Sequence, residues 1–133
     1  MSYEFLSGFR FSLRLMKNFK KLKIWQKGME LVLMTYKLAD QLPKEEKFGL
    51  RSQMTTAVIS IPSNIAEGSS RTSKKDYVRF LEYSLGSAYE LETQVTAIDM
   101  LNYGGKELRG MILMGIDEEQ KMLQSFMTTV EGS

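Results

Sequence analysis

The 133-residue chain contains no cysteine and no histidine. The first absence excludes disulfides and thiolate metal sites. The second removes the commonest general base, the usual imidazole ligand of zinc and iron, and the Ser-His and Cys-His nucleophile pairs. Chemistry would be left to carboxylates, lysines and hydroxyls, so the expectation is a non-enzymatic protein without cofactor or metal. A hydrolase working with carboxylates alone is a remote third class. No stretch approaches the ~20 apolar residues of a membrane span. The first fifteen residues carry Phe5, Leu6, Phe9, Phe11, Leu13 and Leu15, yet Glu4, Arg10 and Arg14 spoil them as a signal peptide. The expected location is the cytoplasm.

Proline is scarce, at two residues, and both are placed where they carry information. Pro43 stops a first helix over Leu22–Leu42, because the residue before a proline disfavours the helical region. On that helix Trp25, Met29, Val32, Tyr36 and Ala39 step by four and three, as one face should. A second helix begins near Glu45 or Glu46 and runs to Glu67, with Leu50, Met54, Ala57, Val58, Ile61 and Ile65 facing in and Gly68 as a left-handed cap. Pro62 lies inside it, removes one donor and crowds the Val58 carbonyl, which predicts a kink one turn earlier. Ser73 and Asp76 have capping-box spacing and start a third helix, about Ser73 to Tyr103, or roughly 45 Å long. Its seam of Tyr77, Leu81, Ser84, Ala88, Leu91, Val95 and Ile98 alternates steps of four and three. Gly104 and Gly105 end it. A fourth helix spans about Lys106 to Val130, with Leu108, Ile112, Ile116, Leu123, Phe126 and Val130 inward, and Gly110 and Gly115 weakening it. Short connections force antiparallel neighbours. The fold expected is all-α: an up-down-up-down antiparallel four-helix bundle with a proline-kinked second helix. It occupies residues 22–131, behind an N-terminal extension over 1–21 that is poorly ordered or loosely docked. The first fifteen residues read as a poorly ordered extension or the product of an upstream start codon, or else as an amphipathic arm that docks on a neighbouring subunit or a membrane surface.

The run Ser60-Ile61-Pro62-Ser63-Asn64-Ile65-Ala66-Glu67-Gly68 resembles the SIPSNIAEG signature of the 23S rRNA-intervening sequence proteins. Leu22-Lys23-Ile24-Trp25-Gln26-Lys27 before it and Gly86-Ser87-Ala88-Tyr89-Glu90-Leu91-Glu92-Thr93-Gln94 after it agree, over about Met16 to Tyr103. The resemblance implies a four-helix bundle assembled as a ring-shaped homopentamer. It also implies a relation to accessory factors of diversity-generating retroelements, which bind nucleic acid and a reverse transcriptase. Relatives often carry a basic pair where this chain has Thr55-Thr56, so any contact made by that pair is lost here.

Two sets of residues are candidate sites. Ser60, Pro62, Ser63, Asn64, Glu67 and Gly68 form the signature. Ser63 and Asn64 can satisfy backbone groups freed by Pro62, and Glu67 can stabilise the following turn; alternatively they make polar contacts across a subunit interface. Glu90 and Glu92, two apart on a helix, point to different sides and suit solvent or an interface. A di-iron bundle needs Glu-x-x-His pairs, which are absent. Phe80, Tyr83, Leu85, Gly86, Ser87 and Tyr89, apolar or small residues off the third helix's seam, point to a second buried face and hence to self-assembly. The second set is basic. Topology gathers Lys17, Lys20, Lys21, Lys23, Lys27, Arg71, Lys74, Lys75 and Arg79 at one end, with only Glu67, Asp76, Glu82 and Glu131 near. Two helix N-termini at that end add positive partial charge. A net charge of only +2 does not announce a nucleic-acid binder, but this end offers RNA or DNA a cationic surface. The alternative is a structural or protein-interaction scaffold that binds no nucleic acid.

Overall fold

The computed structural model describes residues 16–133, and the alternative readings of residues 1–15 lie outside them. Among the described residues four long helices follow one another: α1 (Lys23–Ala39), α2 (Leu50–Ser69), α3 (Lys74–Met100) and α4 (Lys106–Gly132). Each packs on its sequence neighbour, and α1 also packs on α4, closing a four-sided bundle. Among the described residues no helix is long and apolar enough to cross a membrane. Met16 is buried, the Tyr77 hydroxyl donates to its carbonyl, and the Phe19 ring meets Trp25 edge-on at 5.4 Å. Residues 16–21 therefore dock on the bundle, and a single 3-10 turn, Phe19–Lys21, leads into α1.

The seam of α3 lies where its spacing puts it, with Tyr77, Leu81, Ser84, Ala88, Leu91, Val95 and Ile98 all buried. Ser73 caps this helix by accepting the Asp76 amide at 3.1 Å. The inward stripe of α1 is rotated from the expected one. Of the expected set Val32 and Ala39 are buried, whereas Trp25 and Met29 are half-buried and Tyr36 is exposed; Ile24, Gly28, Leu31, Thr35 and Leu38, again in steps of four and three, complete the buried face. Gly28 and Thr35 dilute the true stripe, and the aromatics mark its shoulder. The second helix starts at Leu50, later than expected. Residues 44–46 form a separate 3-10 turn, and Gly49, at φ −102° and ψ −110°, breaks the chain between them.

Gly68 is not a left-handed cap. It lies inside α2, which continues through Pro62 to Ser69. A Cβ at Gly68 would fall 2.9 Å from the Phe80 Cβ and 3.3 Å from the Tyr77 carbonyl oxygen. The glycine serves close approach of α2 to α3, and neither obstacle is a movable side-chain tip. Gly68→Ala should therefore destabilise the bundle by about 2 kcal/mol despite alanine's better helix propensity. Gly110→Ala, with open space around the new methyl, should stabilise it by about 1 kcal/mol. Urea denaturation of the pair checks this; equal midpoints would remove the packing argument.

The turn between α3 and α4 holds the structure's two left-handed residues among those described, Asn102 at φ 62° and Gly104 at φ 69°. It is organised by Arg109, which is buried. Its guanidinium donates to Asp99 Oδ1 at 2.7 Å, Asn102 Oδ1 at 3.0 Å, and the carbonyls of Tyr103 at 2.7 Å and Gly104 at 2.6 Å.

A second charged residue is buried deeper. Glu119 of α4 is fully enclosed, and neither carboxyl oxygen has a hydrogen-bond partner among the described residues. A methyl on Gly28 would lie 3.2 Å from Oε2, 3.4 Å from Ile61 Cγ2 and 3.4 Å from Pro62 Cβ, so α1, α2 and α4 converge on this carboxyl. Burial pushes its pKa up to about 8, and the charge of Lys27 offsets only part of that.

Candidate nucleic-acid interface

An antiparallel bundle brings the start of α1 to the start of α3, and the contacts agree. Lys17 Nζ donates to the Arg71 carbonyl at 2.5 Å. Lys17, Lys20, Lys21, Lys23, Lys74 and Lys75 are all exposed at this end. Among the described residues none of these six has a carboxylate oxygen within 4.0 Å of its ammonium. Glu82 and Glu131 share a shallow depression with Lys74 and Lys75 and soften that corner. Met16, Lys17, Tyr77, Val130 and Ser133 line a cavity of about 230 Å³ in the same end.

The remaining three cations of the expected patch are differently placed. Lys27 is withdrawn into the seam between α1 and α4, where it meets Glu118 at 3.3 Å and Glu30 at 3.9 Å. Its position one turn into α1 carries it away from the end and onto the carboxylates of α4. Arg71 pairs with Glu67 at 2.8 Å, and Arg79 pairs with Asp76 at 3.4 Å. Both guanidiniums also lie against the Phe80 ring, 4.5 Å and 5.6 Å from its centroid. They are half-neutralised and locally committed. The helix-terminus term cancels as well, because the same antiparallel end holds the C-termini of α2 and α4, whose partial charge is negative. The cationic character of this end rests on its lysines.

The signature residues divide by position. Ser60 Oγ donates to the Thr56 carbonyl at 2.9 Å, and Asn64 Nδ2 donates to the Ser60 carbonyl at 2.8 Å. The carbonyl freed by the proline is that of Val58, so Asn64 serves a different group, and the exposed Ser63 makes no side-chain bond among the described residues. Pro62 and Gly68 are core. Ile61 lends its carbonyl to Ser84 Oγ of α3 at 2.9 Å, an interhelical bond inside the signature that spacing alone does not reveal. Glu90 and Glu92 are both exposed, and Glu92 accepts from Gln120 of α4 at 2.7 Å. On the outer side of α3, Tyr83 and Tyr89 are 50% and 47% exposed, Met100 is 82% exposed, and Gly86 has nothing within 4 Å of a Cβ. A monomer leaves this apolar strip in water.

The family model described as 23S rRNA-intervening sequence protein matches residues 20–125. A solved structure from Bacteroides thetaiotaomicron, described as a protein of unknown function from the S23 ribosomal protein family, is similar at 26% identity and a TM-score of 0.72. The likeness covers 78% of this chain and 97% of that one. No curated protein matches the sequence at a significant level.

Proposed function

From the premise that this chain belongs to the 23S rRNA-intervening sequence protein family, we propose that it is a non-enzymatic, self-assembling cytoplasmic bundle that holds RNA or DNA by the phosphate backbone at its lysine-rich end. The observation that carries this reading is the group of six exposed lysines without carboxylate partners among the described residues. Lysine ammonium groups on flexible stems suit phosphate without fixing base identity. One subunit offers few charges, but a ring repeats them around one face and raises the local potential. The exposed strip of Tyr83, Gly86, Tyr89 and Met100 supports assembly, with a homopentamer as the expected number.

Light scattering should give a mass several times 15.3 kDa, five times for the pentamer; a monomer at micromolar concentration would remove the assembly half. Fluorescence anisotropy with a labelled RNA hairpin and a DNA duplex should show binding nearly indifferent to sequence and steeply weakened by salt. Replacing Lys20, Lys21, Lys74 and Lys75 together by glutamate should reduce affinity at least about a hundredfold while sparing the mass. The same reversal at Lys37, Lys44, Lys47 and Arg51, toward the other end of the bundle, should do far less. The scaffold reading replaces this one if the assembled protein binds neither probe at low salt.

A further inference from the structure

Beside the lysines, where the start of α1 passes the end of α4, an open groove of about 390 Å³ runs along the bundle. Lys21 and Lys23 stand on its α1 wall, and Met122, Ser125, Phe126 and Thr129 contribute from α4. The Phe126 ring is half-buried and braced by Tyr77, which it meets edge-on at 6.0 Å. Ser125 and Thr129 lie one helical turn apart and are both exposed. The Thr129 hydroxyl donates to the Ser125 carbonyl at 3.2 Å, so along the apolar trough it offers an acceptor, while the Ser125 hydroxyl can donate or accept. Neither rim lysine has a carboxylate within 4.0 Å among the described residues.

Resting on the nucleic-acid reading above, we infer that this groove receives an unpaired nucleobase, so that the protein prefers single-stranded nucleic acid to duplex. The charge complementarity selects an anion, through Lys21 and Lys23. The trough selects an anion with a flat apolar face beside its phosphate. The hydroxyls select a polar edge, which a base has and an acyl chain lacks. The volume accommodates one nucleotide rather than a helix, and a base paired within a duplex cannot leave its stack to enter. Each base stacked on a side-chain platform adds about tenfold or more to affinity without reading sequence.

Anisotropy with a labelled 12-nucleotide single strand and its duplex, at one salt concentration and with the full chain, tests this. The single strand should bind about tenfold tighter or better. Ser125→Leu places a branched aliphatic side chain in the trough from an exposed position, without disturbing the core and without offering a flat face. It should remove the single-strand preference and leave duplex affinity within about twofold, since the lysines are untouched. Phe126→Leu, which keeps the contact with Tyr77 apolar, should lower single-strand affinity in the same direction. Equal affinities for strand and duplex, or a Ser125→Leu protein that keeps the preference, overturn the groove assignment while leaving the lysine-rich interface intact. Capture by phosphatidylglycerol vesicles that Ser125→Leu abolishes would give the groove to a lipid and likewise overturn it. No binding of either nucleic acid at low salt overturns the groove and the interface together.

Discussion

Glu119→Gln should raise the thermal midpoint of this protein, by more at pH 8 than at pH 5. The wild-type carboxyl has no hydrogen-bond partner among the described residues and is walled by Gly28, Ile61 and Pro62. Burial lifts its pKa from the ordinary 4.5 to about 8. A folded-state pKa above the unfolded one means that the native state holds the proton while the unfolded chain has released it. Between about pH 4.5 and pH 8 the unfolded state therefore binds fewer protons, and stability falls as pH rises. Above the folded-state value the loss levels off. The full penalty is on the order of 5 kcal/mol, since each pKa unit is 1.36 kcal/mol. Glutamine cannot ionise but still buries an amide, so about half of that should be recovered at pH 8, or roughly 5–10 °C in a domain of this size. Glu119→Leu removes the polar group altogether and should gain more. Thermal scans of the three proteins from pH 5 to pH 9 make the comparison. Parallel curves for wild type and Glu119→Gln would show that the carboxyl reaches water or a partner and that the pocket is not dry.

Arg109→Ala should cost about 3 kcal/mol or more, read as a lower urea midpoint with an unchanged slope. The loss has two parts. The guanidinium ties the start of α4 to Asp99 near the end of α3, and it saturates two carbonyls and an amide oxygen of the intervening turn. Removing it strips the donors from a turn that already holds Asn102 and Gly104 at positive φ. Arg109→Lys should recover little, because one ammonium cannot reproduce a planar fork with four acceptors around it. Recovery to within about 0.5 kcal/mol by lysine would mean that charge alone matters and the fork does not.

Both residues were absent from the core read in the sequence, and for one physical reason. The inward positions expected on the last helix pass from Ile116 to Leu123 with nothing between, a gap of two turns that the helical period fills at 119 or 120. Arg109 likewise lies three residues before Ile112, in phase with the buried face. Periodicity pointed to these places, and charge argued against them, because charged side chains are almost never fully enclosed unless paired. On α3 nothing opposed the period, and the whole seam was legible. On α1 the aromatics Trp25 and Tyr36 outweighed the glycine and threonine of the buried stripe and turned the reading by one residue. The gathering of lysines was also legible, since it follows from topology. The ion pairs that withdraw Lys27, Arg71 and Arg79 were not, because they depend on which carboxylates the packed helices bring opposite them. Nor was the role of Gly68 legible: a glycine that ends a helix and one that admits a neighbour look alike until Phe80 is in place.

The small cavity that Met16 and Ser133 line together makes the bundle almost a closed circuit. Its topology can therefore be re-threaded. A short flexible linker could join residue 133 to residue 16 across the cavity they line, and new termini could open in the largely exposed Lys44–Lys47 segment without cutting an α-helix. Such a permuted chain retains all four helices and moves both termini to the pole opposite the lysines. A fluorophore or an affinity tag fused there stands clear of Lys74 and Lys75, whereas one fused after Ser133 hangs across them. For this protein the choice of where to attach a label is thus also a choice about which face is left open.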